Sequence, residues 1–179
     1  MYIWIGCKLP EDFSDELRAK CLPLGEALGL DMVSFSLPQH ISLKISFEAT
    51  QDPAVILDAL EAMLKQEKAF SVALGGLEIM GNILWLTFGE NDTLQRLHRL
   101  LDQRLLNEFG VRQHDFDKAF AFHSTLFFGQ PAALRQALSA LRPLKLPREL
   151  AVDTFLLGVS ESGAAGTYRV VRQIPAAEK

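Results

Sequence analysis

The sequence predicts an α+β protein built from a duplicated unit, in which each copy contributes an antiparallel sheet with helices on one face. Three observations lead to this fold. Hydrophobic periods typical of strands and of amphipathic helices alternate along the 179-residue chain. The order strand, helix, strand, helix, strand occurs twice, and one further strand follows. The first two strands have nearly the same spacing in both copies, 37 residues from Ile3 to His40 and 38 from Trp85 to His123.

The first copy contains five elements. They are a strand over 2–7, a helix over 13–28, a strand over 40–47, a helix from Pro53 to near Lys65 and a strand over 69–79. Pro23 is expected to kink or shorten the first helix. Asp52 and Pro53 supply an N-cap and a first-turn proline for the second. Gly75 and Gly76 predict a bulge or bend in the last strand.

The second copy follows a turn at 81–82. Its predicted elements are a strand over 83–88, a helix capped by Asn91 that stops at Gly110, the strand around His123, a helix over 131–141, a strand over 149–159 and an extra strand over 167–174. Short connections between strands favour antiparallel pairing, and sheet faces without helices are expected to form a groove. We expect one domain over 1–179, with repeat halves of about 1–80 and 81–179.

Composition and charge exclude several classes of protein. The 49% apolar content supports a packed core, and the net charge of −4 provides no basic stripe for holding long nucleic acid. A nucleotide or a short oligonucleotide end remains a suitable partner. Cys7 and Cys21 lack metal-ligand spacing, so we expect reduced thiols. No segment predicts a signal peptide or a membrane helix. The expectation is a cytoplasmic monomer with no membrane partner.

Two short motifs stand at equivalent positions of the repeat. His40 precedes Ser42 by two residues, and His123 precedes Thr125 by two residues. Alternate residues of a strand share a face, so each histidine is expected to lie beside its hydroxyl. Either motif alone fits a structural histidine, but their equivalent placement argues against coincidence.

Two imidazoles and two hydroxyls suit phosphate-ester chemistry. Cleavage of a phosphodiester needs a base for the attacking oxygen and an acid for the departing one, and histidine performs either role near neutral pH. Hydroxyl groups such as those of Ser42 and Thr125 can donate to the non-bridging oxygens. This chemistry requires no metal or other cofactor. It does require the two imidazoles to face each other across the groove.

The chain resembles the two-histidine (2H) phosphoesterase superfamily, whose signature is two His-x-Ser/Thr-x motifs, with the LigT-like RNA 2',3'-cyclic phosphodiesterases, also called 2'-5' RNA ligases, as the nearest fit. The resemblance is carried by Leu9-Pro10, by 37–43, by 122–126 and by 166–170.

The resemblance implies a bilobal α+β fold with pseudo-twofold symmetry and a metal-free active site. It also implies an enzyme acting on RNA ends, oligonucleotides or small nucleotides. His40 and His123 would be the catalytic histidines, and Ser42 and Thr125 the phosphate-binding hydroxyls. Serine at position 42, where threonine is more usual in the family, keeps the hydroxyl.

Five further residues are candidate substrate contacts, each with a plainer alternative. Lys44 follows the first motif and would either meet a phosphate or ribose or be an exposed lysine. Phe127 and Tyr168 would either stack on a base or belong to the core. Arg112 and Arg169 would either contact a phosphate or lie free at the surface.

Histidine and aspartate residues outside the motifs favour structural interpretations. His98 is predicted to lie on the surface of its helix. His114, Asp115 and Asp117 are predicted to form a solvated loop, because a metal site would need more regularly placed ligands.

Two other functions compete with the phosphodiesterase. A non-catalytic module that binds nucleotides or RNA ends would keep the fold, although it would not need both complete motifs. A serine hydrolase would use Ser42 or Ser124, but the chain has no Gly-x-Ser-x-Gly turn.

Overall fold

The computed structural model describes residues 1–178. The strands are β1 (Tyr2–Lys8), β2 (His40–Glu48), β3 (Phe70–Met80), β4 (Ile83–Phe88), β5 (His123–Phe128), β6 (Glu149–Val152), β7 (Thr154–Ser160) and β8 (Arg169–Pro175). The α-helices are α1 (Glu11–Leu28), α2 (Pro53–Leu64), α3 (Asp92–Phe109) and α4 (Pro131–Leu141), and two short 3₁₀ turns span Val33–Ser36 and Asp115–Ala119. We call these the first and second 3₁₀ turns.

The strands form two four-stranded antiparallel sheets, which confirms the predicted α+β fold with two pseudo-symmetric lobes. The first lobe has the strand order β2-β1-β7-β8, and the second has β5-β4-β3-β6. Helices α2 and α3 pack against the first sheet, on β7 and β2, whereas α4 packs against β3 and β4 and also contacts α1. Each motif strand, β2 or β5, is the edge strand of its lobe.

The lobes do not coincide with the two halves of the sequence. Strand β3 ends the first repeat but pairs with β4, because the two-residue turn at Gly81 and Asn82 forces these strands into a hairpin. Gly81 has a φ of 60°, a conformation that glycine adopts without steric cost. Strand β7, from the second half of the sequence, pairs with β1, and β8 pairs with β7. The two repeats therefore exchange strands, and each lobe contains parts of both.

Local signals in the sequence placed most element ends correctly. Asp52 accepts a hydrogen bond from the backbone N–H of Ala54, and Asn91 accepts one from that of Leu94, so both act as the predicted N-caps. Helix α3 ends at Phe109 and is followed by the predicted Gly110, a C-cap with a φ of 66°. The register of β3 shifts between Leu74 and Gly76, which confirms the predicted bulge.

Two predicted strands differ from the structure, and one effect expected of a proline is absent. The strand expected over 149–159 is two strands, β6 and β7, which leave Asp153 between them and join different sheets. Pro23 was expected to kink or shorten α1, and it does not shorten the helix: it lies on the exposed side, where a carbonyl that lacks its helical partner can bind water. The last strand begins at Arg169, two residues later than expected.

The core is continuous through both lobes. Cys7 and Cys21 are buried free thiols within it, as expected for reduced cysteines, and burial raises the pKa of Cys21 to about 12. Within residues 1–178, no helix combines the length and the apolar character needed to cross a membrane.

Candidate active site

The two motif strands meet where the lobes join. Strands β2 and β5 contact each other. The hydroxyl of Ser124 donates a 3.0 Å hydrogen bond to the side-chain oxygen of Gln39, and both residues are buried. The segment just before His40 is therefore fastened to the residue just after His123. The fold brings the motifs together although 83 residues separate their histidines.

Both histidines make the same local hydrogen bond. The Nδ1 atom of His40 lies 2.7 Å from the carbonyl oxygen of Pro38, and that of His123 lies 2.7 Å from the carbonyl oxygen of Ala121. A carbonyl oxygen only accepts, so Nδ1 carries the hydrogen in each ring. The Nε2 atom of each neutral ring is then the basic nitrogen, available to exchange a proton with a bound molecule.

Each imidazole also packs against a tryptophan from the neighbouring strand. Trp4 on β1 meets His40 edge-on at 4.3 Å between ring centroids, and Trp85 on β4 stacks on His123 at 3.7 Å. Trp4 donates its indole N–H to the hydroxyl of Ser42 at 3.3 Å. The buried indole N–H of Trp85 has no hydrogen-bond partner among the described residues. Each histidine thus has a tryptophan neighbour, but the two contacts differ in geometry and in their hydrogen bonding.

Sequence reasoning did not identify these tryptophans as site residues. A signal was available, because Trp4 precedes His40 by 36 residues and Trp85 precedes His123 by 38. A tryptophan on the strand that precedes each motif, at similar although unequal spacing, indicates a shared role.

Burial lowers the pKa of both histidines. For His40 burial is the largest effect, the hydrogen bond to Pro38 opposes it, the charge of nearby His123 lowers the pKa further, and the result is about 4. Burial also lowers the pKa of His123, again opposed by a backbone hydrogen bond, here to Ala121. Both rings are therefore held neutral near pH 7 in the free protein. A bound phosphate would favour protonation of one of them, because an adjacent negative charge stabilises the cation.

Two cavities lie near the motif residues. A small cavity of about 160 Å³ is lined by His40 and Thr125, one residue from each motif, together with Tyr168 and Phe128. The hydroxyl of Tyr168 donates to the carbonyl oxygen of Gly163. The predicted contact Tyr168 is thus beside the motif residues.

A larger groove of about 650 Å³ is lined by neither motif histidine, but it includes Trp85, which stacks on His123. It runs from Trp85 on the second sheet to Arg99 on α3, a helix that packs on the first sheet, so it lies between the lobes. Ala121 and Phe122, the two residues before His123, also line it.

The other candidate contacts lie away from the histidines or point elsewhere. Phe127 is fully buried and packs near Phe35 at 6.1 Å between ring centroids, so it belongs to the core. Arg169 is exposed and lines a separate cavity with Ser160 and Thr167. Arg112 is exposed as well. Lys44 is buried and forms ion pairs, so it is neither a surface lysine nor directed to a ligand.

Two predictions about the remaining polar residues were wrong. His98 is 7% exposed rather than at the surface, and Asp117 is 3% exposed rather than in a solvated loop. Both lie in a buried cluster with Lys44 and Asp102. Lys44 reaches this cluster because β2 contains a bulge. The register of β2 against β1 shifts between the pairs Ile5–Lys44 and Gly6–Ser42. A bulge breaks the alternation of faces, so Lys44 turns inward where simple alternation places it beside His40.

His98, Asp102 and Asp117 lie close enough together to be considered as metal ligands, within 4.8 Å of one another. The ammonium group of Lys44 already occupies the position of a cation, since it bonds to both carboxylates. We therefore assign no metal to this cluster.

The fold and the paired motif strands define the architecture of the two-histidine phosphoesterases. A family model described as the 2'-5' RNA ligase superfamily matches residues 11–164, and the chain belongs to this family. The family resemblance seen in the sequence is thereby confirmed. A search of curated protein sequences finds no significant match.

Solved structures show the same fold at low sequence identity. The protein TT0787 of Thermus thermophilus is 20% identical with a TM-score of 0.67, and the match covers 100% of both chains. LigT of E. coli in complex with 3'-AMP is 16% identical with a TM-score of 0.63, and 98% of each chain is covered. Usb1 of Kluyveromyces marxianus is 14% identical with a TM-score of 0.55 over 97% of each chain.

Proposed function

We propose that this protein is a metal-independent phosphodiesterase that acts on 2',3'-cyclic phosphates or 2'-5' linkages of RNA ends or small nucleotides. One observation carries the proposal. At the junction of the lobes, two equivalent strands each present a histidine whose Nδ1 is held by a backbone carbonyl, with a hydroxyl residue two positions further on. Structures of E. coli LigT with 3'-AMP, NADP+ and ATP support a nucleotide ligand.

In the proposed reaction, one imidazole accepts the proton of the attacking water at Nε2 while a new oxygen–phosphorus bond forms. The other imidazole, protonated next to the phosphate, gives its proton to the departing ribose oxygen as that oxygen–phosphorus bond breaks. The hydroxyls of Ser42 and Thr125 donate to the non-bridging oxygens, whose charge redistributes in the transition state. Because the two histidines are equivalent, the reverse reaction exchanges their roles.

The direct test is hydrolysis of nucleoside 2',3'-cyclic monophosphates and of a 2'-5'-linked dinucleotide, with the product identified as the 2'- or the 3'-phosphate. We expect turnover with a single regiochemistry, and we expect it to persist in EDTA. Strict dependence on an added divalent metal would contradict the mechanism. Tight nucleotide binding without turnover would instead indicate the non-catalytic binding module.

The pH dependence should reveal two histidines with lowered pKa values. In the free protein the pKa values of His40 and His123 both lie below that of an ordinary histidine, so the general base and the general acid each lose a proton at lower pH. The bell-shaped profile of kcat/KM should therefore have its maximum below the ordinary histidine pKa of about 6.5. The profile of kcat should lie at higher pH, because bound phosphate stabilises the imidazolium. A kcat/KM that keeps rising into the alkaline range would contradict this assignment.

The groove between the lobes supports oligonucleotide ends as substrates. Its volume of about 650 Å³ leaves room beyond the cleaved phosphate, and the exposed Arg99 takes part in none of the ion pairs within residues 1–178. If Arg99 contacts a second phosphate, Arg99→Ala should lower kcat/KM for a cyclic-phosphate oligonucleotide by about 10-fold, the value of one charge-assisted hydrogen bond.

The mononucleotide should be unaffected by Arg99→Ala, because it does not reach this groove. The matched control is Arg135→Ala, which removes an exposed arginine from α4 outside the groove. Equal losses for both substrates, or for both variants, would exclude a specific contact.

A further inference from the structure

The buried polar cluster of Lys44, His98, Asp102 and Asp117 lies outside the histidine pair. The Nζ atom of Lys44 is 2.5 Å from Oδ1 of Asp102 and 2.6 Å from Oδ2 of Asp117. The side chains of Lys44 and Asp117 are 2% and 0% exposed, and that of Asp102 is 12% exposed. Burying charges is costly, so an arrangement of this kind calls for a role beyond stability.

The cluster connects the two chain segments that carry the motifs. Lys44 lies two residues after Ser42 on β2, and Asp117 lies six residues before His123 in the second 3₁₀ turn. The carboxylate of Asp117 also accepts the backbone N–H of Ile45 at 3.0 Å. The loop that leads into the second motif is thus bonded directly to the strand of the first.

His98 on α3 adds a second connection between the same segments. Its Nδ1 lies 2.7 Å from the carbonyl oxygen of Leu43, and its Nε2 lies 2.9 Å from that of Asp117. Because carbonyl oxygens only accept, the ring serves both only when both nitrogens carry hydrogen. The ring therefore joins β2 to the second 3₁₀ turn through two backbone contacts.

We propose that the buried polar cluster is a positioning device, which sets the separation of His40 and His123 by fastening the loop before the second motif to the bulged strand of the first. This inference rests on the proposed phosphodiesterase function for its kinetic consequence. Catalysis by two groups on one phosphate depends strongly on their placement, and a displacement of about 1 Å can cost about 10²-fold in rate.

The test is the double variant Lys44→Met/Asp117→Asn. It removes one cation and one carboxylate at nearly constant volume, so the net charge of the cluster does not change, and replacements of this kind are often neutral for stability. We expect the folded double variant to lose about 10- to 100-fold in kcat, with KM changed by less than about 3-fold. A purely structural cluster would leave the kcat of the folded double variant at the parent value, and that result would overturn the proposal.

The matched control lies on the far side of the first lobe. Arg172 on β8 also pairs with two carboxylates, those of Asp58 and Glu61 on α2. Arg172→Met/Glu61→Gln removes the same kinds of group and should leave kcat unchanged. If Lys44→Met/Asp117→Asn does not fold, the variant to test is His98→Gln, which keeps one hydrogen-bond donor and introduces no charge. The same loss of kcat with little change in KM is then expected.

A histidine titration by NMR separates this inference from the proposed function. In the parent, His123→Ala should raise the pKa of His40, because the charge of His123 lowers it. In the Lys44→Met/Asp117→Asn background the rise should differ, since the two rings are no longer held at the same separation. If the rise in the His40 pKa is the same in both backgrounds, the positioning role is overturned, even if the parent shows no turnover. If the rise differs but the parent shows no turnover, only the proposed phosphodiesterase function is overturned.

Discussion

Replacing either His40 or His123 with alanine is expected to lower kcat/KM for 2',3'-cyclic phosphate hydrolysis by about 10²- to 10⁴-fold, the usual contribution of a general acid or base. Each ring is held mainly by local contacts, a carbonyl two residues back in its own segment and one tryptophan. The variants should therefore fold normally. Steady-state kinetics, with circular dichroism as the folding control, measures both effects.

The double variant His40→Ala/His123→Ala should be only slightly slower than the worse single variant. Residues that act as one unit have strongly non-additive effects, because loss of either partner already prevents the coupled proton transfers. Parent-like activity in both single variants would remove the two histidines from the mechanism. Full additivity would show that they act independently, on different steps or at different sites.

Lys44→Met should have the largest effect on stability. It leaves the carboxylates of Asp102 and Asp117 without their shared cation, and breaking a buried ion pair in this way costs about 3–5 kcal/mol. In a protein of this size such a loss lowers Tm by about 6–20 °C. Urea denaturation and calorimetry of parent and variant measure the change, and the double variant with Asp117→Asn should recover most of it.

The cost of Lys44→Met should depend on pH. In the parent, burial raises the pKa of Asp117, but the hydrogen bonds from Lys44, Ile45 and His114 outweigh it and hold the pKa below its ordinary value. This carboxylate stabilises the fold above its unfolded pKa and loses that contribution as the pH falls through the folded value. Without Lys44 the buried carboxylate favours protonation instead, so the stability gap between parent and variant should narrow toward about pH 4, the ordinary aspartate pKa. If the difference in stability between parent and Lys44→Met does not change with pH, the lost ion pair is not the cause of the destabilisation.

Whether a contact is local or distant in the sequence explains which parts of the structure could be predicted. Caps, turns and helix faces depend on residues two to four positions apart, so Asp52, Asn91 and Gly110 were assigned correctly from their neighbours. The motif pair was also recognisable, because duplication placed the two motifs at matching points of a repeat. Lys44 and His98 were misplaced because their partners are distant in the chain, 58 residues for Lys44 and Asp102 and 55 for His98 and Leu43.

The amino-acid sequence by itself determined the α+β class, the family, the two motifs and the order of elements up to residue 148. Each of these follows from short-range periodicity or from matching spacing between the repeats. Only the tertiary structure decided that the repeats exchange strands between lobes, that Trp4 and Trp85 support the histidines, and that four charged or polar side chains become one buried cluster. The physical reason is that burial changes the energy of a charge. A lysine or an aspartate is stable inside a protein only beside its partner, and that partner is supplied by the fold.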